Sequence, residues 1–457
     1  MRRPQAPYRW LPVLLACATA TALGQAPGDA PNPFARAAPT RLPYDTEYPV
    51  MHYERVPTHN AIARLQERLR SGALKLTYSA PRGYLDSLLA ALAIDPSSQS
   101  LVYSKTSLQT GYISAATPRA LYFDTDTYVG YVQGSTTLEL ATMDSELGQV
   151  FYTLANDAPV VGEHPGAGQF QRQTLQCLSC HDTYEMSGGG VPRFLLMSAY
   201  VNTLGELITH EDSILTTDET PLDSRWGGWY VTGHTGRQAH VGNLQVRDVQ
   251  QLAKLESLRI SNIDTLDDLF RTAPYLTDRS DVVALLVLQH QVTVQNLITR
   301  ANFEVRTALA ANGQKATLPA KTQGRLHGYL DELAKAMLFG DAAPYTDAIR
   351  GNSGFDAWFQ KQGPSDPQGR SLRELDLNTR LLRYPLSYLV YTPAFDSLPP
   401  YARDYVYGRF AAVLQGHDHS DTYAFLGDAT RRDTLQILTA TKPSFAQYLA
   451  QHPAASP

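Results

Sequence analysis

Cysteine is scarce in this chain: its 457 residues include three, Cys17, Cys177 and Cys180. A structural zinc site uses four Cys or His ligands, usually as two close pairs, and the sequence has no second Cys pair. A thioredoxin-like redox pair would end a strand in a βαβ pattern, and no such pattern surrounds Cys177 and Cys180. These absences argue against a zinc site and against a redox pair, so we expect Cys177 and Cys180 to have another role.

An excess of basic residues and a long apolar run are also missing. The chain has 39 Lys and Arg against 44 Asp and Glu and no basic stripe, which argues against nucleic acid as a partner. The longest apolar run after the N-terminus, Val282–Leu288, is far shorter than the roughly 18 residues of a spanning helix. We therefore expect a soluble body, held at a membrane only if it carries a lipid.

The N-terminus has the features of an export signal. Basic residues precede a short apolar core, and small residues follow it. This order predicts a signal peptide over residues 1–26, cleaved after Gly24 or Ala26. Residues 14–17 (LLAC) also resemble a lipoprotein processing site, in which case Cys17 would be lipidated and would tether the protein to a membrane. Either alternative predicts a periplasmic or otherwise exported protein.

The two remaining cysteines lie in the stretch Gln176-Cys177-Leu178-Ser179-Cys180-His181. Cys-x-x-Cys-His is the attachment sequence of c-type haem. Two thiols three positions apart can add to the two vinyl groups of one porphyrin, and the adjacent imidazole can bind the iron. Because this attachment takes place outside the cytoplasm, the export signal supports the motif. We expect one covalent haem c on Cys177 and Cys180, with His181 as the proximal ligand.

The order of patterns along the chain predicts an α+β fold that is predominantly α. After the signal peptide we expect an N-terminal α/β-strand region over residues 27–161 and a haem-binding segment over 162–245. A helical region over 246–457 is expected to pack on the haem segment. About 430 residues exceed what one hydrophobic core usually serves, which agrees with such a division.

The front region is expected to contain two short amphipathic helices, Asn60–Ser71 and Tyr84–Ile94, followed by an antiparallel meander. The strand segments of the meander are Leu101–Tyr103, Ala120–Phe123, Tyr128–Val132, Leu138–Ala141 and Val150–Leu154. In the haem segment, Phe170–Gln176 is expected to form a helical turn and Phe194–Met197 a strand. The triple glycine Gly188-Gly189-Gly190 is expected to force a loop after His181.

The rear region is expected to be built around one long helix. Ser280 should cap this helix, which runs to about Ala311 and stops at Gly313. The other predicted helices are Thr322–Phe339, Arg373–Leu382, Pro400–Leu414 and Arg431–Thr439.

At Cys177, Cys180 and His181 the chain resembles the c-type cytochromes, which carry electrons or activate small molecules at haem. It departs from the small soluble class, because Phe170 sits at a different offset and no Met-Pro pair exists to supply a distal methionine. A larger part is similar to a group of large, exported, single-haem bacterial proteins of unknown function. That similarity covers Ser104–Ser107, Arg225–Tyr230 and Gly369–Arg373. It implies one co-evolved unit and says nothing about substrate.

Two features near the motif could contact a porphyrin. Trp226 and Trp229 are separated by glycines in Arg225-Trp226-Gly227-Gly228-Trp229-Tyr230, which suits a flat wall against a porphyrin, although an aromatic cluster in a β core explains them equally well. Arg225, Arg193 and Arg237 could bind the propionates, since a guanidinium matches a carboxylate. Taken singly, each is better explained as a solvated arginine.

The distal ligand of the iron is open between several residues. His240 is the preferred candidate, because it lies in a Gly-rich loop directly after the aromatic patch. Met197, Met186 and His234 are the alternatives, together with an iron that has no sixth protein ligand. His290, on the apolar face of the long helix, is expected to be a satisfied core histidine.

These features support two main functions, and a sensor or a structural haem protein is a third. The first is an electron-transfer cytochrome, whose partner is a redox protein or a small molecule. The second is a haem enzyme in which an open iron position binds peroxide, dioxygen or a small oxidisable substrate. The sequence has one Cys-x-x-Cys-His motif, whereas bacterial di-haem peroxidases need two. This difference makes the enzyme interpretation weaker.

Overall fold

The structure is a computed structural model, and it describes residues 48–158, 169–182, 190–209, 213–315 and 317–453. The predicted signal peptide with Cys17, the loop residues Gly188 and Gly189, and the candidate ligand Met186 lie outside the described residues. All the described residues belong to one contact unit, which spans residues 32–457.

The front of the chain forms a six-stranded antiparallel sheet in which the strands follow one another in chain order. Its strands are Ser100–Val102 (β1), Arg119–Phe123 (β2), Thr127–Val132 (β3), Thr137–Asp144 (β4), Gly148–Ala155 (β5) and Gln171–Gln173 (β6). A separate two-stranded ladder pairs Met197–Ser198 (β7) with Ile214–Leu215 (β8). The predicted meander is therefore confirmed, and a sixth strand from the haem segment extends it.

Helices surround the sheet and fill the rear of the chain. The α-helices are Ala61–Arg70 (α1), Leu85–Leu92 (α2), Leu175–His181 (α3), Val249–Leu252 (α4), Leu255–Leu258 (α5), Val282–Ala311 (α6), Ala320–Met337 (α7), Phe355–Gln360 (α8), Pro393–Asp396 (α9), Pro400–Leu414 (α10), Asp428–Thr441 (α11) and Pro443–Gln451 (α12). Single 3₁₀ turns occur at Pro49–Met51, Pro96–Ser98, Leu222–Ser224, Tyr388–Tyr391 and Asp421–Tyr423.

The two faces of the sheet are covered by different helices. On one face, the Tyr152 hydroxyl accepts a hydrogen bond from Asn60, the residue that caps α1. On the other face, the Tyr128 hydroxyl donates to Gln295 of α6. Because Tyr128 shares a face with Phe151 and side chains alternate along a strand, Tyr152 points the opposite way. The sheet is thus covered on both faces.

Helix α6 is the longest element of the described ranges, and most of its surface is buried. It is also the one helix there that is long and apolar enough to cross a membrane, and 83 % of the apolar stretch is buried inside the protein. The helix passes the sheet, where Gly148 leaves room for Thr299: a Cβ atom on Gly148 would lie 2.3 Å from the Thr299 methyl carbon.

The prediction that Ser280 caps α6 is wrong by one residue, because Asp281 is the cap. One Asp281 carboxylate oxygen accepts from the backbone N–H of Val283 and Ala284, at 2.7 and 3.3 Å. The other oxygen accepts from Asn352 and Ser353, at 2.7 and 2.8 Å. Ser280 instead ties the sheet to the aromatic patch, since its hydroxyl accepts from Leu101 N–H and donates to the Tyr230 carbonyl.

Asp281→Ala should strongly destabilise the protein. The carboxylate is fully buried, and its loss leaves four backbone N–H groups without their acceptor. Since an unsatisfied buried donor costs about 1–3 kcal/mol, we expect the free energy of unfolding in urea to fall by at least about 3 kcal/mol. Asp248→Ala, which removes the exposed cap of the short helix α4, is the control and should cost less than about 1 kcal/mol. Equal losses in the two variants would contradict this account.

Three local predictions are wrong. Phe170–Gln176 is not a helical turn throughout, since Gln171–Gln173 pairs with Phe151–Thr153 and the helix begins at Leu175. Phe194–Met197 is extended only at its end, in β7.

The third concerns Arg373–Leu382, which forms a tight hairpin instead of a helix. Leu375 bridges Leu382, and Asp376 N–H donates to the Leu381 carbonyl. Leu377 has φ +59°, which no helix allows. Asp and Asn side chains in the turn bond their own backbone, as Asp376 does by accepting from Asn378 N–H.

The predicted fold class, α+β but predominantly α, is also wrong. In the part of the chain that the structure describes, helix accounts for 37 % and strand for 14 % of the residues, and the six-stranded sheet is a major element. Long stretches between β7 and α6, and between α7 and α10, are irregular. Side chains replace the missing backbone ladders there: Asn243, for example, accepts from Val231 N–H and donates to the Val231 carbonyl. Apolar periodicity cannot reveal such segments.

Candidate functional site

The attachment motif lies on helix α3, which follows directly from the edge strand β6. Cys177, Cys180 and His181 occupy positions i, i+3 and i+4 of this helix, and residues at these spacings share one helix face. Both cysteines are free thiols. The pairing of Gln173 with Phe151 joins the start of the helix to the sheet, so the motif is held by β5 and β6.

The imidazole of His181 is held in one orientation. Its ring lies 4.6 Å from the ring of Phe151 and 6.4 Å from that of Phe194. Its Nδ1 lies 2.6 Å from the Arg193 carbonyl oxygen. A carbonyl can only accept, so Nδ1 carries the proton and the Nε2 lone pair is left for a metal. Arg193 N–H donates in return to the His181 carbonyl at 2.9 Å.

Burial also keeps this imidazole neutral. It lowers the pKa of His181 to about 4, and the hydrogen bond to Arg193 opposes that shift only in part. At neutral pH the ring is therefore uncharged, which is the state that binds a metal.

The thiol of Cys177 is protonated in the folded chain. Burial, followed by the negative charge of Glu139, raises its pKa to about 12, while the positive charge of Arg119 acts in the opposite direction. Cys180 has the Ser179 hydroxyl 4.0 Å from its sulfur. The two thiols of the motif therefore differ in their surroundings.

In haem-free protein, Cys177 should resist alkylation. With a pKa of about 12, roughly one thiol in 10,000 is a thiolate at pH 8, and the thiolate is the nucleophile. In a mature Cys180→Ala variant, where Cys177 is the remaining thiol, we expect iodoacetamide to react at least about 100-fold more slowly in the folded than in the urea-unfolded protein. Mass spectrometry over time measures both rates, and equal rates would show that Cys177 is not buried as described.

The aromatic patch is split between two places. Trp229 bridges Val102 of β1, and Val102 pairs in turn with Arg119 of β2. Paired residues share a sheet face, so Trp229 lies on the same face as Phe151, but beyond the edge strand β1, with strands β1 to β4 between it and Phe151 of β5. Its Nε1 donates to the Met197 carbonyl at 2.8 Å. Five strand spacings of about 4.8 Å separate it from Phe151, roughly 24 Å in all, so the structure does not bring Trp229 to the motif.

Trp226 belongs to a different group. It is fully buried with φ +70°, and its ring packs edge-on against His240 at 5.6 Å. The Nδ1 of His240 accepts from Gly242 N–H at 3.1 Å. The structure thus gives His240 neighbours within its own loop and does not bring it into contact with His181.

The other sequence candidates are also engaged elsewhere. Arg225 is buried, and its guanidinium donates to the carbonyls of Thr220 and Asp218 at 2.7 and 3.0 Å. His234 is bound to Asp264 at 2.9 Å and is half exposed. Arg237 is largely exposed beside Asp347. The structure therefore brings Cys177, Cys180 and His181 together but leaves Arg225 and His234 outside their immediate surroundings.

His290 forms a cluster that the sequence did not predict. Its Nδ1 lies 2.5 Å from an Asp218 carboxylate oxygen and its Nε2 lies 2.8 Å from the Ser387 hydroxyl, the order of residues in a nucleophilic triad. His290 and Ser387 are fully buried, and Phe339 stacks on the imidazole at 4.4 Å. No substrate can reach the hydroxyl, so the cluster serves to join three segments, as expected of a satisfied core histidine.

A small cleft lies between this cluster and the motif. It has a volume of about 220 Å³, and Arg193, Phe194, Asp218 and Phe339 are among its lining residues. This volume is below the range of about 300–1,000 Å³ that is usual for small-molecule pockets. Arg193 and Phe194 line this cleft and also contact His181.

Comparisons with protein-family models, curated proteins and solved structures find no match to this chain. In the ranges that the structure covers, no group of three or more His, Cys, Asp or Glu side chains is arranged to hold a metal ion.

Proposed function

We propose that the protein is an exported c-type cytochrome with one covalent haem, and that it transfers single electrons. The observation that carries the proposal is the geometry of helix α3. Two free thiols and one imidazole share a helix face, and the hydrogen bond from Nδ1 of His181 to the Arg193 carbonyl leaves Nε2 for iron. This set of donors fits haem c.

Cys177 and Cys180 would hold the porphyrin through thioether bonds, and His181 would bind the iron. The bound group would supply an iron that takes up and releases one electron. The protein contributes a fixed imidazole and a dry surface, since Phe151 and Phe194 pack beside the His181 ring.

The expected location and partners follow from the sequence. The N-terminal signal supports an exported, periplasmic protein, and lipidation of Cys17 would add a membrane anchor. The partner is a redox protein or a small molecule, and the mildly acidic composition supports no role for nucleic acid.

The proposal is tested on exported protein from cells that attach c-type haem. After denaturation and electrophoresis, the band should keep haem-dependent peroxidase staining, and the pyridine haemochrome spectrum should be that of a porphyrin with both vinyl groups saturated. Haem that leaves the chain on denaturation would show that it is not covalently bound, and a band without haem would refute the proposal.

A haem enzyme with an open iron position is the second candidate. The observation that favours it is that His240 and His234 have partners away from His181. Carbon monoxide distinguishes the two candidates, because a bound sixth side chain blocks small ligands. Rapid binding to the reduced protein supports the enzyme, and a spectrum unchanged by carbon monoxide supports the electron carrier.

His240→Ala should leave the iron unchanged if the side chain stays with Trp226 and Gly242. We expect the ferric optical spectrum of the variant to match that of the unmodified protein. His234→Ala is the matched control in the same loop. Conversion of the His240 variant alone to a high-spin spectrum would instead identify His240 as the distal ligand.

A further inference from the structure

An ion pair lies on the sheet face that carries the motif. Arg119 of β2 and Glu139 of β4 meet through Nη2 and Oε2 at 2.8 Å, and their side chains are 16 % and 12 % exposed. Within the described ranges, the buried Nε of Arg119 and Oε1 of Glu139 have no hydrogen-bond partner. Two charged groups are thus held in the interior with part of their hydrogen-bonding capacity unused, which is costly for stability alone.

A glycine makes room for the pair. Strand β3 runs between the two charged residues, and Gly130 of β3 pairs directly with Glu139. A Cβ atom on Gly130 would lie 2.5 Å from Nη2 of Arg119 and 2.7 Å from its Nε. The guanidinium therefore crosses the sheet over a position that must lack a side chain.

The pair lies beside the attachment motif. Glu139 pairs with Thr153 of β5, and Phe151, two residues earlier on the same face, contacts the ring of His181. Glu139 and Arg119 shift the pKa of Cys177 in opposite directions, and Arg119 also lowers that of His181. Both charges therefore act on the residues that would hold the haem.

We propose that the Arg119–Glu139 ion pair sets the reduction potential of the haem, with Arg119 raising it and Glu139 lowering it. This inference rests on the proposed function, since it needs a haem on Cys177 and Cys180. The pair acts on the haem through its two charges and contributes no ligand to the iron.

The signs follow from the charge of the iron. Reduction adds one electron, so a nearby positive charge favours the reduced form and a nearby negative charge favours the oxidised form. A unit charge within about 10 Å, at an effective dielectric constant of about 20, shifts such an equilibrium by roughly tenfold or more. With both charges present the two effects largely cancel, and removing one uncovers the other.

The experiment is a potentiometric titration of the holoprotein with four variants. Arg119→Gln should shift the reduction equilibrium at least about tenfold towards the oxidised form, which lowers the potential by about 59 mV. Glu139→Gln should shift it at least about tenfold the other way. The double variant, which has no uncompensated charge, should lie between the two single variants. Arg370→Gln, which breaks the Arg370–Asp366 pair beside α11, is the control and should leave the potential unchanged.

The outcomes separate this inference from the proposed function. If the unmodified protein carries no covalent haem, the proposed function fails and this inference fails with it. If haem is present and both single variants keep the potential of the unmodified protein, or shift it in the same direction, the ion pair does not set the potential. If one single variant fails to accumulate, the other single variant and the double variant still have a required sign and order.

Discussion

Cys177→Ala combined with Cys180→Ala should abolish covalent haem in the exported protein. Both thiols are free, they lie on one face of helix α3, and the third cysteine, Cys17, lies in the predicted signal peptide. Without them the iron would have only the His181 imidazole, which a denaturant removes. We expect peroxidase staining of the denatured band to fall from full intensity to background.

The single variants and a matched control make the result specific. Each single cysteine variant keeps one possible thioether bond, so its staining should fall but remain measurable. Ser179→Ala lies between the cysteines, and its hydroxyl donates to the Gln176 carbonyl, so this variant should keep the haem. Staining that persists in the double variant would place the attachment elsewhere and would remove the basis of the proposed function.

The motif was readable from the sequence because its chemistry lies in five consecutive residues. What holds the motif was not readable, since its parts come from distant positions. Arg193, whose carbonyl binds His181, lies twelve residues further on, and Phe151 lies on strand β5, well before the motif. No local spacing identifies a backbone carbonyl as a partner. One general signal was available: an imidazole that binds a metal through one nitrogen usually donates a hydrogen bond from the other.

The ion pair beside the motif shows the same limit. Arg119 and Glu139 are charged residues in apolar strands, which is a signal for a functional or structural site. Their contact depends on the register of three strands and on the missing side chain of Gly130. The strands were predicted within a few residues, but register is not contained in the apolar pattern of strands that are buried on both faces.

In the rear region, too, some elements could be predicted from local signals and others could not. Pro400–Leu414 has the predicted bounds, because a proline at its start and its apolar positions are local signals. The hairpin over 373–382 was predicted as a helix, although its leucines reach the core from a turn. The local pattern indicates that this segment contains buried residues, but tertiary contacts determine whether its backbone forms a helix or a hairpin.

Helix α6 is the clearest case of an element that depends on the rest of the chain. Most of its apolar residues are buried, and two of its glutamines bond to the sheet and its turns. Gln291 donates to the Asp124 carbonyl and the Tyr128 hydroxyl, and Gln295 donates to the Thr125 carbonyl. These partners lie in and beside strands β2 and β3, more than a hundred residues earlier in the chain. Without the sheet, one side of the helix would be exposed, and the side-chain amides of Gln291 and Gln295 would lose these hydrogen-bond partners.

A fragment of residues 245–457 should consequently fail to fold. Each large apolar side chain that loses its sheet contacts forgoes about 1.5–3 kcal/mol of burial, and a whole domain is stable by only about 5–15 kcal/mol. We expect the fragment to be insoluble or molten, with far-UV helical signal but no cooperative urea transition and with strong binding of a hydrophobic dye. The matched control is haem-free protein of residues 27–457, which should unfold cooperatively under the same conditions. A cooperative transition in the fragment would show that the rear helices form an independent domain, and the sheet would then be a separate unit that carries the motif without their support.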